Sequence, residues 1–109
     1  MAWLLRDGEV LATLEVAADR RARSRGLLGR DGFEGALLLE RTRSVHTVGM
    51  RFPIDVAVCD ADLVVLRTRR LRPGRVTLPV RGGRQVLEAE AGAFARWGLV
   101  VGDQLEVRG

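Results

Sequence analysis

Residues 54–71, IDVAVCDADLVVLRTRRL, decide the fold. The first six residues are apolar except for Asp55, residues 60–62 are typical of a turn, and residues 63–71 are rich in Val and Leu. This pattern predicts a β-hairpin with strands at 54–59 and 63–71. We expect this hairpin to lie at the centre of a sheet.

Turn signals on the N-terminal side predict a second hairpin and a helix. Asp7-Gly8 separates the apolar residues 3–5 from residues 10–16, which alternate in hydrophobicity, so a two-residue turn is expected there. Residues 18–30 contain no β-branched residue, and Asp19 can act as an N-cap. We therefore expect a short surface helix that ends at Gly29.

The remaining segments predict short strands and one more helical stretch. Strands are expected at 35–39, 76–80, 85–90 and 104–107, and one or two helical turns at 91–97. The strand at 76–80 should lie at an edge, because Pro79 cannot donate to a ladder. The chain is thus predicted to be a single α+β domain over residues 1–109, with a mostly antiparallel, barrel-like sheet and one or two short helices.

Composition excludes several classes of protein. The 109 residues suffice for one core, and no apolar run is long enough to span a bilayer. Residues 1–17 lack a secretory pattern, so a cytoplasmic location is expected. The chain has one Cys and one His, so no intrachain disulfide is expected, and too few N or S ligands exist for a transition-metal site. No cofactor motif is present, and none is expected to bind.

The net charge of +4 invites a nucleic-acid hypothesis, but the basic residues are unusual. All 18 of them are Arg, and Lys, Asn and Tyr are absent, as expected of a coding sequence rich in G and C. Arg in place of Lys is therefore weak evidence for phosphate recognition.

Three segments together resemble one family. They are RSRGLLGR at 23–30, HTVGMRFPIDV at 46–56, and VLEAEAG at 86–92 followed by GLVVGDQL at 98–105. In the same order, they are similar to elements of domain-of-unknown-function family 192, a family of small bacterial and archaeal proteins. The resemblance implies a compact, mostly β fold and no established activity.

The segment around His46 is the best candidate for a site, because an imidazole can exchange protons near neutral pH. A ligand groove is predicted from a set of polar and apolar residues near this histidine: His46, Thr47, Met50, Arg51, Asp55 and Asp103. Met50 and Phe52 alternate as on a strand, so both should face the same side, which is expected to be core. Asp55 is interpreted either as a brace for a loop or as the polar group of a pocket.

Three functions remain open. The leading hypothesis is a non-enzymatic module that binds a small molecule or a protein. The second is a hydrolase or lyase that uses His46 with Asp55, Asp103 or Glu88, with His46 and Asp55 as the catalytic candidates. The third, less favoured, is association with nucleic acid through a basic arm that would lie beside the arginines of 20–25. The arm consists of Arg67, Arg69, Arg70, Arg72, Arg75, Arg81 and Arg84.

Two further expectations concern groups that could carry chemistry. Glu88 and Glu90 share one strand face and are predicted to be solvated surface carboxylates. Cys59 lies inside an apolar strand and is predicted to be a small buried hydrophobic residue.

Overall fold

The computed structural model describes residues 2–109 as seven strands and two short helices. In chain order these are β1 (Ala2–Arg6), β2 (Glu9–Ala17), α1 (Arg20–Arg25), β3 (Ala36–Leu39), β4 (Ile54–Cys59), β5 (Val65–Leu71), β6 (Gln85–Glu90), α2 (Ala93–Trp97) and β7 (Glu106–Arg108). Both predicted hairpins form, the first through Asp7 and Gly8 with positive φ angles, as a two-residue turn requires. The structure is mostly β, because each helix has fewer than two turns.

The strand order is β5-β4-β6-β3-β2-β1-β7, so the hairpin of β4 and β5 is not the centre of the sheet. The centre is β3, in which all four residues are buried. The prediction was wrong because β5 carries exposed arginines at 67, 69 and 70, and charged side chains suit an edge strand. β4, which is buried at every position, takes the inner place.

The sheet is mixed, since β2 and β3 are parallel and the other pairs are antiparallel. It is not closed by a strand ladder between β5 and β7 in residues 2–109. Its two ends approach each other through one isolated bridge between Val64 and Gln104, and Val65 N donates to Asp103 O at 2.8 Å. Neither helix is long and apolar enough to cross a membrane within the described part of the chain.

Several predicted boundaries differ from the structure. α1 ends at Arg25, and Gly26 follows with φ 49° and ψ −127°, a conformation that is open to glycine, so the chain leaves the helix before Gly29. Residues 76–80 form only a bridge between Val76 and His46, and not a strand. The last strand lies at 106–108, since Leu105 N is bonded to Leu63 O instead.

Two cores cover the two faces of the sheet. The face we call the α2 face carries Leu38, Leu87 and Phe94 of one core, and the α1 face carries Leu37 and Val86 of the other. Because side chains alternate along a strand, Asp55 of β4 falls on the α2 face and Glu88 of β6 on the α1 face. Each face therefore contains a buried carboxyl group.

Candidate functional site

A cleft of about 390 Å³ opens on the α1 face, and we call it the Glu88 cleft. Its walls come from α1 with the turn after it and from the loop between β3 and β4, and its floor includes Glu88. The lining residues are Arg20, Arg23, Ser24, Arg25, Gly26, Leu27, Leu28, Leu39, Arg41, Thr42, Ser44, Val45, His46, Met50 and Glu88. A second hollow of about 720 Å³ near Arg84 is larger, but none of its lining residues is buried, so it is a surface depression.

Glu88 is the unusual group of this cleft. Only 4% of its surface is exposed, and its Oε1 has no hydrogen-bond partner among the described residues. Burial raises the pKa of this carboxyl group to about 7, because removal from water disfavours the charged form. The prediction of a solvated carboxylate was wrong, because β6 lies between β4 and β3, where Val56 and Leu37 flank Glu88.

Gly26 lies directly over Glu88. A Cβ atom added to Gly26 would stand 3.3 Å from Glu88 Oε1, so a side chain at position 26 would press on this buried oxygen. The position of Gly26 follows from α1, which begins with Asp19 Oδ1 accepting from Ala22 N at 2.8 Å and ends with Gly26 N donating to Ala22 O at 2.9 Å.

Four arginines line the cleft, and none of them is paired with a carboxylate in residues 2–109. Arg23 Nη1 donates to Glu40 O at 3.2 Å and Arg41 Nη2 donates to Ala18 O at 2.8 Å, so these two are held by backbone carbonyls. Arg20 and Arg25 have exposed side chains. The cleft therefore combines an excess of positive charge with one buried acid.

His46 is exposed at the rim, while its neighbour Thr47 is fully buried. Thr47 Oγ1 donates to Arg72 O at 2.7 Å and accepts from Arg75 N at 2.8 Å, and Thr47 N donates to Arg75 O at 2.7 Å. Thr47 thus fixes the rim loop to the loop at 72–77. Of the predicted groove residues, Thr47 has a structural role and His46 lines the cleft.

Met50 and Phe52 both pack against the core of the α1 face, which confirms the prediction that they share a core-facing side. Met50 is 8% exposed and also lines the cleft. Arg51 points to solvent and its Nη1 donates to Asp31 Oδ1 at 2.7 Å, an exposed ion pair of small energetic value.

Asp55 and Asp103 do not reach the Glu88 cleft. Asp55 Oδ2 accepts from Gly92 N at 3.0 Å and from Phe94 N at 3.1 Å, so a carboxylate of β4 caps the first turn of α2. Asp103 Oδ2 accepts from Val100 N at 3.0 Å and from Arg6 Nη1 at 2.9 Å, and mainly the Val100 bond, with Arg6 adding to it, lowers the pKa of Asp103. The structure thus gathers His46 and Met50, with Glu88, and leaves both aspartates elsewhere.

The predicted basic arm is divided between surfaces. Arg70 Nε donates to Asp55 Oδ1 at 3.1 Å on the α2 face, whereas Arg67 and Arg69 pair with Val58 and Val56 on the α1 face. β5 is an edge strand, and β4, β6 and β3 separate it from β2, against which α1 packs. The β5 part of the arm therefore does not neighbour the strand that supports α1.

The segments that carry the family resemblance converge on the Glu88 cleft. Arg23–Leu28 from the first, His46 and Met50 from the second, and Glu88 from the third all line it. The Gly102–Asp103 part of the third segment lies apart and bonds to β5 and Arg6. The sequence indicates Glu88 as one of three possible acid partners of His46 but wrongly predicts it to be solvated, although its position between Val86-Leu87 and Ala89 is typical of a strand that is buried on both faces.

Cys59 is fully buried, and burial raises the pKa of its thiol to about 12. We expect the folded protein to be inert to Ellman's reagent at mildly alkaline pH, and one thiol to react after unfolding in guanidinium. Free cysteine in the same buffer is the control. Modification of the folded protein at the rate of free cysteine would contradict the buried placement.

Comparison with known proteins places the chain in a family. Residues 2–107 match domain-of-unknown-function family 192, described as "Uncharacterized ACR". No curated protein gives a significant match. A protein of unknown function from Novosphingobium aromaticivorans DSM 12444 has a similar fold, with a TM-score of 0.80 and 23% identity over 96% of this chain and 82% of that one.

A second solved structure, described as a proposed transcription regulator from Sinorhizobium meliloti 1021, has a TM-score of 0.81 and 25% identity over 97% of this chain and 91% of that one. The match to the family covers nearly the whole sequence, as the three converging segments lead one to expect. The chain belongs to domain-of-unknown-function family 192.

Proposed function

We propose that this protein is a binding module for a small organic anion, which it holds in the Glu88 cleft. The observation that supports the proposal is the buried Oε1 of Glu88, which no described residue satisfies. A buried polar group without a partner lowers stability, so the fold gains nothing from this carboxyl group. A ligand that enters the cleft can supply the missing hydrogen bond.

The charge of the cleft favours an anion. Four guanidinium groups and the imidazole of His46 line it, against the single carboxyl of Glu88. Arg20 and Arg25 are exposed and make no ion pair within the described residues, so both are free to pair with a ligand. A guanidinium fork binds carboxylates and phosphates through two parallel hydrogen bonds.

The size and the walls of the cleft favour a small molecule. Its volume of about 390 Å³ lies in the lower part of the range for small-molecule pockets, roughly 300–1,000 Å³. Leu27, Leu39 and Met50 provide a buried apolar wall beside the charged groups. A ligand with an anionic head and a short carbon body matches both surfaces.

Phenyl phosphate is a suitable probe, titrated into the ¹⁵N-labelled protein and followed by amide chemical shifts. We expect the largest shifts at Gly26 and His46, and binding weakened about tenfold in Arg25→Ala, as the loss of a charge-assisted hydrogen bond predicts. Arg21→Ala removes the same charge from an exposed position of α1 outside the cleft and is the matched control. An equal loss of affinity for phenyl phosphate in both variants, or chemical-shift changes spread over the whole surface, would reject a site in this cleft.

Acid–base catalysis is the second candidate, favoured by the presence of His46 and Glu88 in one cleft. Imidazole and carboxyl groups are the side chains that most often act as general acids and bases. The same probe distinguishes the candidates: a binding module returns phenyl phosphate unchanged. Release of phenol that stops in His46→Gln would instead establish a hydrolase.

Nucleic-acid association is the third candidate, supported by the description of the Sinorhizobium relative and by the exposed Arg67, Arg69, Arg72 and Arg75. Phosphate contacts of this kind weaken steeply as salt increases. Fluorescence anisotropy with a labelled DNA duplex at low and moderate salt tests it. Absence of binding at low salt would eliminate this candidate.

A further inference from the structure

We propose that the ligand of the Glu88 cleft is a phosphate monoester that carries a free hydroxyl group, such as a polyol or sugar phosphate. Its phosphate would pair with the arginines of α1, and its hydroxyl would bond to Glu88. The proposal rests on the proposed function and specifies the chemical class of its ligand.

Glu88 Oε1 lacks a hydrogen-bond partner among the described residues. This oxygen is buried beside Gly26, and Glu88 lines the cleft, so a molecule bound in the cleft is the candidate for the missing partner. An ammonium group would suit an ionised carboxylate, but four arginines line the same cleft and would repel it. A neutral donor is therefore favoured.

A hydroxyl group fits the protonation behaviour of Glu88 better than other neutral donors. With a pKa of about 7, this carboxyl group exists in both forms near neutral pH. A hydroxyl donates to the carboxylate and accepts from the acid, so it can bond to either form. An N–H group can donate to either form, but it cannot accept from the O–H of the protonated acid.

The arginines of the cleft favour a phosphate over a carboxylate as the anionic group of the ligand. A carboxylate carries one charge and is satisfied by a single guanidinium fork. A phosphate monoester carries a charge of about −1.5 to −2 near pH 7 and has three acceptor oxygens. Because Arg20 and Arg25 are both exposed and unpaired with carboxylates in residues 2–109, the cleft offers two forks, which matches the phosphate.

The test compares two probes that differ only in their hydroxyl groups, glycerol 3-phosphate and n-propyl phosphate, by isothermal titration calorimetry. We expect the wild-type protein to bind glycerol 3-phosphate about tenfold more tightly or better, as one buried hydrogen bond to a charged group predicts. In Glu88→Leu, whose new side chain faces Leu37 and Val56, this preference should fall to about twofold or less. Glu90→Gln, at an exposed position of the same strand, should keep it.

The outcomes separate this proposal from the proposed function. Equal affinity of the wild-type protein for both probes, with both weakened by Arg25→Ala, would overturn the hydroxyl assignment and leave anion binding intact. Binding of phenyl phosphate without binding of glycerol 3-phosphate or n-propyl phosphate would also overturn the hydroxyl assignment and leave anion binding intact. If Glu88→Leu fails to fold, the comparison of the two probes on the wild-type protein still decides the proposal.

Discussion

Replacement of Glu88 by Gln is expected to abolish a loss of stability that the wild-type protein suffers as the pH rises from 4 to 8. Burial raises the pKa of Glu88 from its ordinary 4.5 to about 7, so the folded state holds a proton that the unfolded state has released. Stability then falls with pH across this window, by about 3 kcal/mol in total. The amide of the Glu88→Gln variant does not titrate in the folded or the unfolded state, so this loss of stability is absent. The variant should therefore become the more stable protein above neutral pH.

Urea unfolding of both proteins at several pH values measures this difference. Other groups that face the cleft also contribute charge, namely Arg20, Arg23, Arg25, Arg41 and His46, and a His46→Gln background removes the contribution of the imidazole from the comparison. Glu90→Gln serves as the control, because Glu90 is exposed on the same strand. If the wild-type and Glu88→Gln curves run parallel from pH 4 to 8, Glu88 is not buried as described.

Replacement of Asp55 by Asn is expected to lower the free energy of unfolding by about 3 kcal/mol, since buried N–H groups would lose a charged acceptor. Asp55 is 4% exposed, and its carboxylate accepts from Gly92 N, Phe94 N and Arg70 Nε. The side chain of Asn has an NH₂ group in place of one carboxylate oxygen, so a donor would face at least one of these three donors. Thermal or urea unfolding measures the loss.

Arg70→Gln is the matched control for Asp55. It removes only the guanidinium, whose side chain is 58% exposed, and it leaves both backbone bonds to α2 intact. We expect it to cost less than about 1 kcal/mol. A similar cost in the two variants would mean that the ion pair, and not the cap on α2, gives Asp55 its value. Phenyl phosphate should bind both variants normally, because Asp55 lies outside the cleft.

The local elements could be predicted from the sequence because their signals are local. Asp7-Gly8 and Asp60–Asp62 specify turns by their own backbone preferences, and Asp19 caps α1 as its position before the helix suggested. These features need no knowledge of distant residues.

Sheet order and the cleft could not be predicted in this way, because they depend on which strands become neighbours. Placement of β6 between β4 and β3 buries Glu88 and moves the β4–β5 hairpin to one side. Nothing within Val86–Glu90 specifies those neighbours. For the same reason His46 could be recognised as a candidate, while the sequence could not choose its partner among three acids, of which Asp55 and Asp103 serve α2 and the Arg6 contact and only Glu88 shares the cleft.

The isolated bridge between Val64 and Gln104 has a consequence for how the protein is made. Residues 102–105 bond to the start of β5, and β7, which follows at once, pairs with β1. One short segment near residue 105 thus connects the first strand to the fifth. Residues 102–105 must leave the ribosome before the two ends of the sheet can be joined. The sheet is therefore completed only after almost all of residues 2–109 have been synthesised.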